Sequence, residues 1–161
     1  DAYESILSHL FEDHGHCRNY SRIEAKLMME VGVADGSSLN AWAEVFPNAT
    51  IVGMDIHPAS NWRGELHIGD QREKESCERA AAGRLFDVIV EDALHETSAT
   101  LLCLFWLWPF VRPGGLYIVE EWSNIVDPTI EARVKESGGQ IVDTTGPTGG
   151  REPLVVFRKQ S

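Results

Sequence analysis

Residues 26–46 read KLMMEVGVADGSSLNAWAEVF, and the change of pattern inside this stretch decides the fold. KLMMEVGV is a compact apolar run without alternation, the pattern of a strand buried on both faces. Further on, Leu39, Trp42, Ala43 and Phe46 recur at the spacing of one helix face, Ser37 or Ser38 stands where a cap is needed, and Pro47 closes the element. Between the two lie Gly32, Ala34 and Gly36. Small residues there let the backbone approach a ligand closely, and the start of the helix offers unpaired N–H groups.

Outward from this unit the same alternation continues. TIVGMDI (50–56), ELHIGD (65–70), FDVIVED (86–92) and GGLYIVEEW (114–122) read as strands, separated by a charged helix over 72–82 and an apolar one from Glu96 through LLCLFWLW. Upstream, Tyr3, Ile6, Leu7, Leu10 and Phe11 share one face of a short helix that stops near Gly15. Strand and helix in alternation predict a parallel sheet with helices on both faces. In the tail, IEARVKESGG reads as a helix, and QIVDTT and LVVFRK as strands joined by the hairpin GPTGGRE. The expected fold is therefore α/β: a doubly wound, mostly parallel seven-stranded sheet with an antiparallel C-terminal hairpin strand at its edge, all within one domain over 1–161.

With 161 residues there is room for one such domain and no second core. The 14 Lys and Arg against 25 Asp and Glu leave a net charge of -11, which repels phosphate backbones and anionic lipid and so argues against nucleic acid and membrane partners. Three widely spaced cysteines form no CxxC pair, as expected in a reducing compartment. The acidic first residues lack the basic start of a signal peptide, and the longest apolar run is about half a membrane span, so a cytoplasmic protein is expected. A homo-oligomer is compatible with all of this.

A nucleotide lying across the sheet at Gly32 needs an acid at the end of the next strand to hold its ribose diol, and Asp55 stands there. The dinucleotide pattern GxGxxG fails, because Ala34 and Ser37 occupy glycine positions. Asp70 and Gln71, at the end of the third strand, could bond an adenine amino group or cap the following helix.

Acids also stand at the other strand ends: Glu91 and Asp92, with His95 three residues on, and Glu120 with Glu121. In a parallel sheet all of these fall on the edge that carries Gly32 and Asp55. Singly, each could be a solvated or capping acid. Together, Asp92, Glu120 and Glu121 repel one another unless they share protons or bind a hard cation such as Mg²⁺. Strand alternation turns Glu91 away if Asp92 points in, and lets Glu120 and Glu121 act together only if the strand ends between them. His95 has the chemistry of a general base near neutral pH, or is a helix-cap histidine. Trp62 and Trp122 are candidates for an organic substrate; Trp106 and Trp108 read as packing.

These residues carry two resemblances. Glu30-x-Gly32-x-Ala34-x-Gly36 is similar to the first motif of class I S-adenosylmethionine-dependent methyltransferases, whose fold also ends in an antiparallel hairpin strand. EDALH (91–95) and VEEW (119–122) resemble the D-x-x-H and terminal acid pair of the metal-dependent O-methyltransferases of macrolide and sugar tailoring, a group that includes the macrocin and mycinamicin methyltransferases and the related cephalosporin hydroxylase-like family. HGHCRNY (14–20), GMDI (53–56) and GDQ (69–71) are similar to that group too, so the likeness runs from Leu10 to Trp122.

The resemblance implies S-adenosylmethionine held by Glu30, Gly32, Ala34, Gly36, Ser37, Asp55, Asp70, Gln71 and Asp92, and Mg²⁺ held by Asp92, Glu120 and Glu121. It implies His95 as the base and a small-molecule hydroxyl as the methyl acceptor. The chain departs from the pattern in two places. Glu120-Glu121 replaces the family's Glu-Asp, and Ala93-Leu94 replaces its usual small residues. Two other readings use the same fold: a methyltransferase without metal, and a non-catalytic module that binds S-adenosylmethionine or S-adenosylhomocysteine.

Overall fold

The computed structural model describes residues 25–120, 128–145 and 154–160. The helix expected over Tyr3–Phe11, the segment HGHCRNY, Glu121 and Trp122 lie outside them. The strands are β1 (Leu27–Val31), β2 (Thr50–Asp55), β3 (Glu65–Ile68), β4 (Phe86–Glu91), β5 (Val111–Val119), β6 (Gly139–Thr145) and β7 (Leu154–Lys159). The helices are α1 (Ser37–Val45), α2 (Lys74–Ala81), α3 (Thr97–Leu107) and α4 (Pro128–Glu136), with a 3-10 turn over Trp108–Phe110.

The sheet order is β3-β2-β1-β4-β5-β7-β6. The first five of these strands run parallel, and β7 is antiparallel to both β5 and β6. The antiparallel strand is therefore interior rather than at the edge, which corrects the expectation from sequence. Strand β7 is paired on both edges, by β5 and by β6, and its faces lie in the two core layers, Val155 and Phe157 in one and Val156 in the other. Strand β6 takes the edge.

Alternation sorts the core into two layers. Met29, Val31, Val52, Met54 and Ile89 face Cys77, Ala80 and Ala81 of α2 and Cys103, Leu104 and Leu107 of α3. Met28, Ile51, Val88 and Val90 face the other way, with Leu39 and Trp42 of α1 and with Phe46. Helices thus cover both faces, as a doubly wound sheet requires. Among the described residues, no helix is long and apolar enough to cross a membrane.

Two local readings change. Helix α1 is capped by Gly36 in a left-handed conformation, φ 88°, with no side-chain cap, and Ser37 is already its first helical residue. Strand β5 begins at Val111, three residues earlier than its sequence pattern suggests, with an irregular register opposite Phe86–Val88. Arg112 turns back there to Asp87, its Nε 2.6 Å from Oδ1, while Oδ2 accepts the N–H groups of Lys26 and Leu27 at 2.7 and 2.8 Å. Asp87 is buried and ties the starts of β1, β4 and β5 together at the edge opposite the strand ends discussed below. Asp87→Ala is expected to cost about 3 kcal/mol by leaving those partners unpaired, read as a lower urea midpoint at unchanged slope.

Candidate active site

The C-terminal ends of β1, β2, β3 and β4 border a cavity of about 530 Å³, of the size that holds small ligands. Its position follows from two contacts at the end of β1. Gly32, at φ 86°, lies so close to β4 that a Cβ on it would stand 2.3 Å from the Asp92 carbonyl oxygen and 2.4 Å from the Ala93 Cα. Ala34 follows at φ 45°, a left-handed conformation unusual for a residue with a Cβ. Its turn is held by Asp55 at the end of β2, whose Oδ2 accepts the N–H groups of Val33 at 2.9 Å and Ala34 at 3.0 Å, and whose Oδ1 accepts that of His57 at 2.9 Å. A carboxylate has about four acceptor positions, and three here serve the backbone. Asp55 therefore has capacity for one further donor, where the sequence suggested a ribose diol.

Of the residues expected at the cofactor, Gly32, Ala34, Asp55, Asp70, Gln71 and Asp92 line the cavity. Glu30, Gly36 and Ser37 do not, and each has a physical reason. Glu30 is wholly buried on the α1 face of the sheet, Gly36 is packed under Trp62 and Ala59, and Ser37 is exposed with its N–H on Asp35 Oδ1. Asp70 accepts the Arg72 guanidinium from two sides, 2.6 Å at the closest, and Arg72 holds its carboxyl below the usual range. It makes a local turn and does not cap α2, whose cap position is Glu73. The Gln71 side chain is turned inward, its Nε2 3.1 Å from Glu91 Oε1.

Asp92 lines the cavity, with His95 Nε2 3.8 Å from its Oδ1. His95 also lines the cavity, at φ 52°. Glu91 is 1% exposed, on the opposite side of its strand, as alternation requires. Register pairs Glu91 with Val119, so Asp92 and Glu120 follow side by side at the ends of β4 and β5, and the Glu120 N–H donates to the Glu91 carbonyl at 2.9 Å. Strand β5 ends at Val119, so Glu120 stands just beyond it.

Three carboxylates of this edge act on one another. The Glu30 carboxyl is pushed up to about 8, first by burial, then by the negative charges of Glu120 and Asp92; Ser38 and Trp42 beside it offset part of this. Neither Glu30 oxygen has a hydrogen bond of good geometry, and both are buried. An oxygen-rich, mutually repelling set of this kind suits a hard cation. Among the described residues, no three ligand side chains are already gathered around one point, Glu121 lying outside them. The cavity fits a nucleoside in size and in its backbone turns, and the acids fit a divalent cation in charge and chemistry.

The sequence reading missed the polar pins around the cavity. Asn61 joins Asp35 by its side chain at 2.7 Å and its backbone N–H at 2.8 Å, holding the segment after β2 against the first turn. It also missed Ile56 and Leu94, 57% and 43% exposed although both line the cavity. Their signal was a large apolar residue directly after, or two after, a strand-end acid. Trp62 packs against Gly36 and Gly64 and donates to the Glu65 carbonyl, and it does not line the cavity.

A Rossmann-like sheet with an antiparallel C-terminal pair and a cavity at the β1 turn is the fold of the class I S-adenosylmethionine-dependent methyltransferases. No family model matches the chain. It is 34% identical over 130 residues to mycinamicin VI 2''-O-methyltransferase of Micromonospora griseorubida, covering 71% of this chain and 32% of that protein. It is 32% identical over 130 residues to demethylmacrocin O-methyltransferase of Streptomyces fradiae, with the same coverage. The solved MycE methyltransferase of the mycinamycin pathway, in complex with Mg, SAH and mycinamycin VI, superposes with a TM-score of 0.72 at 21% identity, over 98% of this chain and 50% of that one. The chain is thus homologous to O-methyltransferases of macrolide and sugar pathways and spans about a third of the length of the curated relatives it matches.

In the protein without a cation, Glu30 keeps its proton to about pH 8, whereas in the unfolded chain it loses it near 4.5. A raised carboxyl favours the folded state at low pH, and that contribution fades as pH climbs from the lower value to the higher. Glu30→Gln keeps the neutral form throughout. Its stability relative to wild type is expected to rise by up to ~1.4 kcal/mol per pH unit between about pH 5 and 8, measured by urea unfolding across that range.

Proposed function

We propose that the chain is the S-adenosylmethionine-binding domain, over 1–161, of a Mg²⁺-dependent O-methyltransferase acting on a hydroxyl of a small sugar- or macrolide-type natural product. The observation that carries this reading is the placement of Asp92 and His95 in the wall of the cavity bordered by Gly32 and Asp55, with Glu120 alongside. The homology to macrolide and sugar O-methyltransferases supports it, as does the strand order, which reads as the complete seven-stranded methyltransferase sheet.

When bound, S-adenosylmethionine supplies an electrophilic methyl group and Mg²⁺ supplies charge that makes a nearby hydroxyl more acidic. The residues of the chain do the rest. Asp55 and the backbone of Gly32–Ala34 hold the nucleoside, with the remaining acceptor position of Asp55 taking one ribose hydroxyl. Ile56 and Leu94 cover apolar surface of the ligands. Asp92, Glu120 and Glu121 hold the cation through carboxylate oxygens. His95 is placed to take the acceptor hydroxyl proton at a ring nitrogen; the O–CH3 bond that would form replaces the S–CH3 bond of S-adenosylmethionine, with S-adenosylhomocysteine as the leaving group. Orientation and charge placement supply the acceleration, with no covalent enzyme intermediate. The net charge of -11 argues against nucleic acid as the acceptor.

Calorimetry should show S-adenosylhomocysteine binding, and methyl transfer to a glycosylated macrolide should stop with EDTA and return with Mg²⁺. Asp92→Ala is expected to lower the rate at least about 10²-fold while changing S-adenosylhomocysteine affinity little, and His95→Ala to cost about 10²-fold. Activity unaltered by both EDTA and Asp92→Ala would refute the metal half of the proposal.

A further inference from the structure

Glu91 and Gln71 have the structure of a device rather than of two stray polar residues. Glu91 ends β4 and is 1% exposed; Gln71 lies in the turn after β3 and is 5% exposed. Burying a carboxylate is costly unless its oxygens are bonded, so its partners identify what it is held for. Its Oε1 accepts the Gln71 amide at 3.1 Å and the Ala93 backbone N–H at a longer 3.4 Å. The Thr100 hydroxyl, in the first turns of α3 and itself buried, is a further partner. The Gln71 backbone is fixed in turn, its main-chain carbonyl accepting the Cys77 thiol of α2 at 3.4 Å.

The chain between Glu91 and α3 holds Asp92 and His95, and it includes the left-handed backbone of His95, a conformation that persists only where its surroundings enforce it. Glu91 grips this loop from below at Ala93 and from the far end at Thr100. The side chain lies on the α2 and α3 face of the sheet, beside Thr100 and Gln71. Through Gln71, which lines the cavity, the grip also reaches the wall contributed by β3.

We propose that Glu91, anchored by Gln71, is a positioning residue that sets the Asp92–His95 loop in the geometry in which Asp92 can take a cation, and that Gln71 acts through Glu91 rather than by reading the cofactor. This rests on the reading of Asp92 as a cation ligand. The brace works by shape and hydrogen bonding, so a neutral isostere can replace the carboxylate: in Glu91→Gln the amide oxygen keeps Gln71 and Ala93, and the amide nitrogen can donate to Thr100.

The test is a calorimetric Mn²⁺ titration of protein saturated with S-adenosylhomocysteine, for wild type, Glu91→Leu, Glu91→Gln and Gln71→Leu. Loss of a supporting partner should weaken Mn²⁺ binding about 10- to 100-fold in Glu91→Leu and Gln71→Leu, with S-adenosylhomocysteine affinity nearly unchanged and Glu91→Gln restored to within about threefold of wild type. A purely structural role would lower thermal stability and leave the Mn²⁺ affinity of the folded fraction alone, which overturns the proposal. So does weaker S-adenosylhomocysteine binding with normal Mn²⁺ binding in Gln71→Leu, which would assign Gln71 to the cofactor. If Glu91→Leu does not fold, Gln71→Leu decides. If wild type binds no Mn²⁺, the reading of Asp92 fails separately, and amide exchange in the ligand-free protein judges the brace: Ala93 exchanging at least about tenfold faster in Gln71→Leu upholds it, and unchanged exchange overturns it.

Discussion

The end of β1 touches the end of β4 backbone to backbone, and most of what this molecule offers a ligand depends on that contact. A single methyl group on Gly32 would sit 2.3 Å from the Asp92 carbonyl oxygen, a separation real atoms do not tolerate. The approach is locked by hydrogen bonds on both sides, from the Asp92 N–H to the Val31 carbonyl at 2.8 Å and from the Gly32 N–H to the Met54 carbonyl at 2.8 Å. Three strand ends are thereby drawn into one seam. The loop that would hold the nucleoside and the loop that carries Asp92 and His95 are neighbours because glycine leaves no side chain between them.

Charge is distributed around the seam with the same economy. On the α1 face, burial and the negative charges of Glu120 and Asp92 raise the affinity of Glu30 for a proton, and a cation would relieve what they impose. On the opposite face, Glu91 is buried too, yet its oxygens are spent on Gln71, Ala93 and Thr100. Adjacent acids at the end of β4 thus face opposite ways, Asp92 toward the cavity and Glu91 toward the scaffold. The pleat of the strand makes that division automatic.

The order of strands and helices was legible from the switch between continuous apolar runs and helical spacing, because burial on both faces leaves that pattern in any parallel strand. The interior position of β7 was less visible, since a hairpin can lie at an edge or fold inward, and only the pairing of β7 with both β5 and β6 decides it. At the site, strand-end acids announced Asp55, Asp92 and Glu120 through their position after apolar runs. What the sequence could not show was which acceptor positions were already occupied. Asp55 is largely taken by the backbone, Asp70 by Arg72, and Gln71 by Glu91, and each of these pairings depends on turns whose direction no local pattern encodes.

The place of β7 also has a consequence in time. Among the described residues β6 pairs with β7 alone, so it has no seat in the sheet until residues 154–159 have been synthesised and inserted beside β5. The strands β3-β2-β1-β4 pair without any help from the tail. As the chain leaves the ribosome, the half of the sheet that borders the cavity can therefore assemble first, while the other half waits on β7 and leaves the backbone edge of β5 unpaired until it arrives.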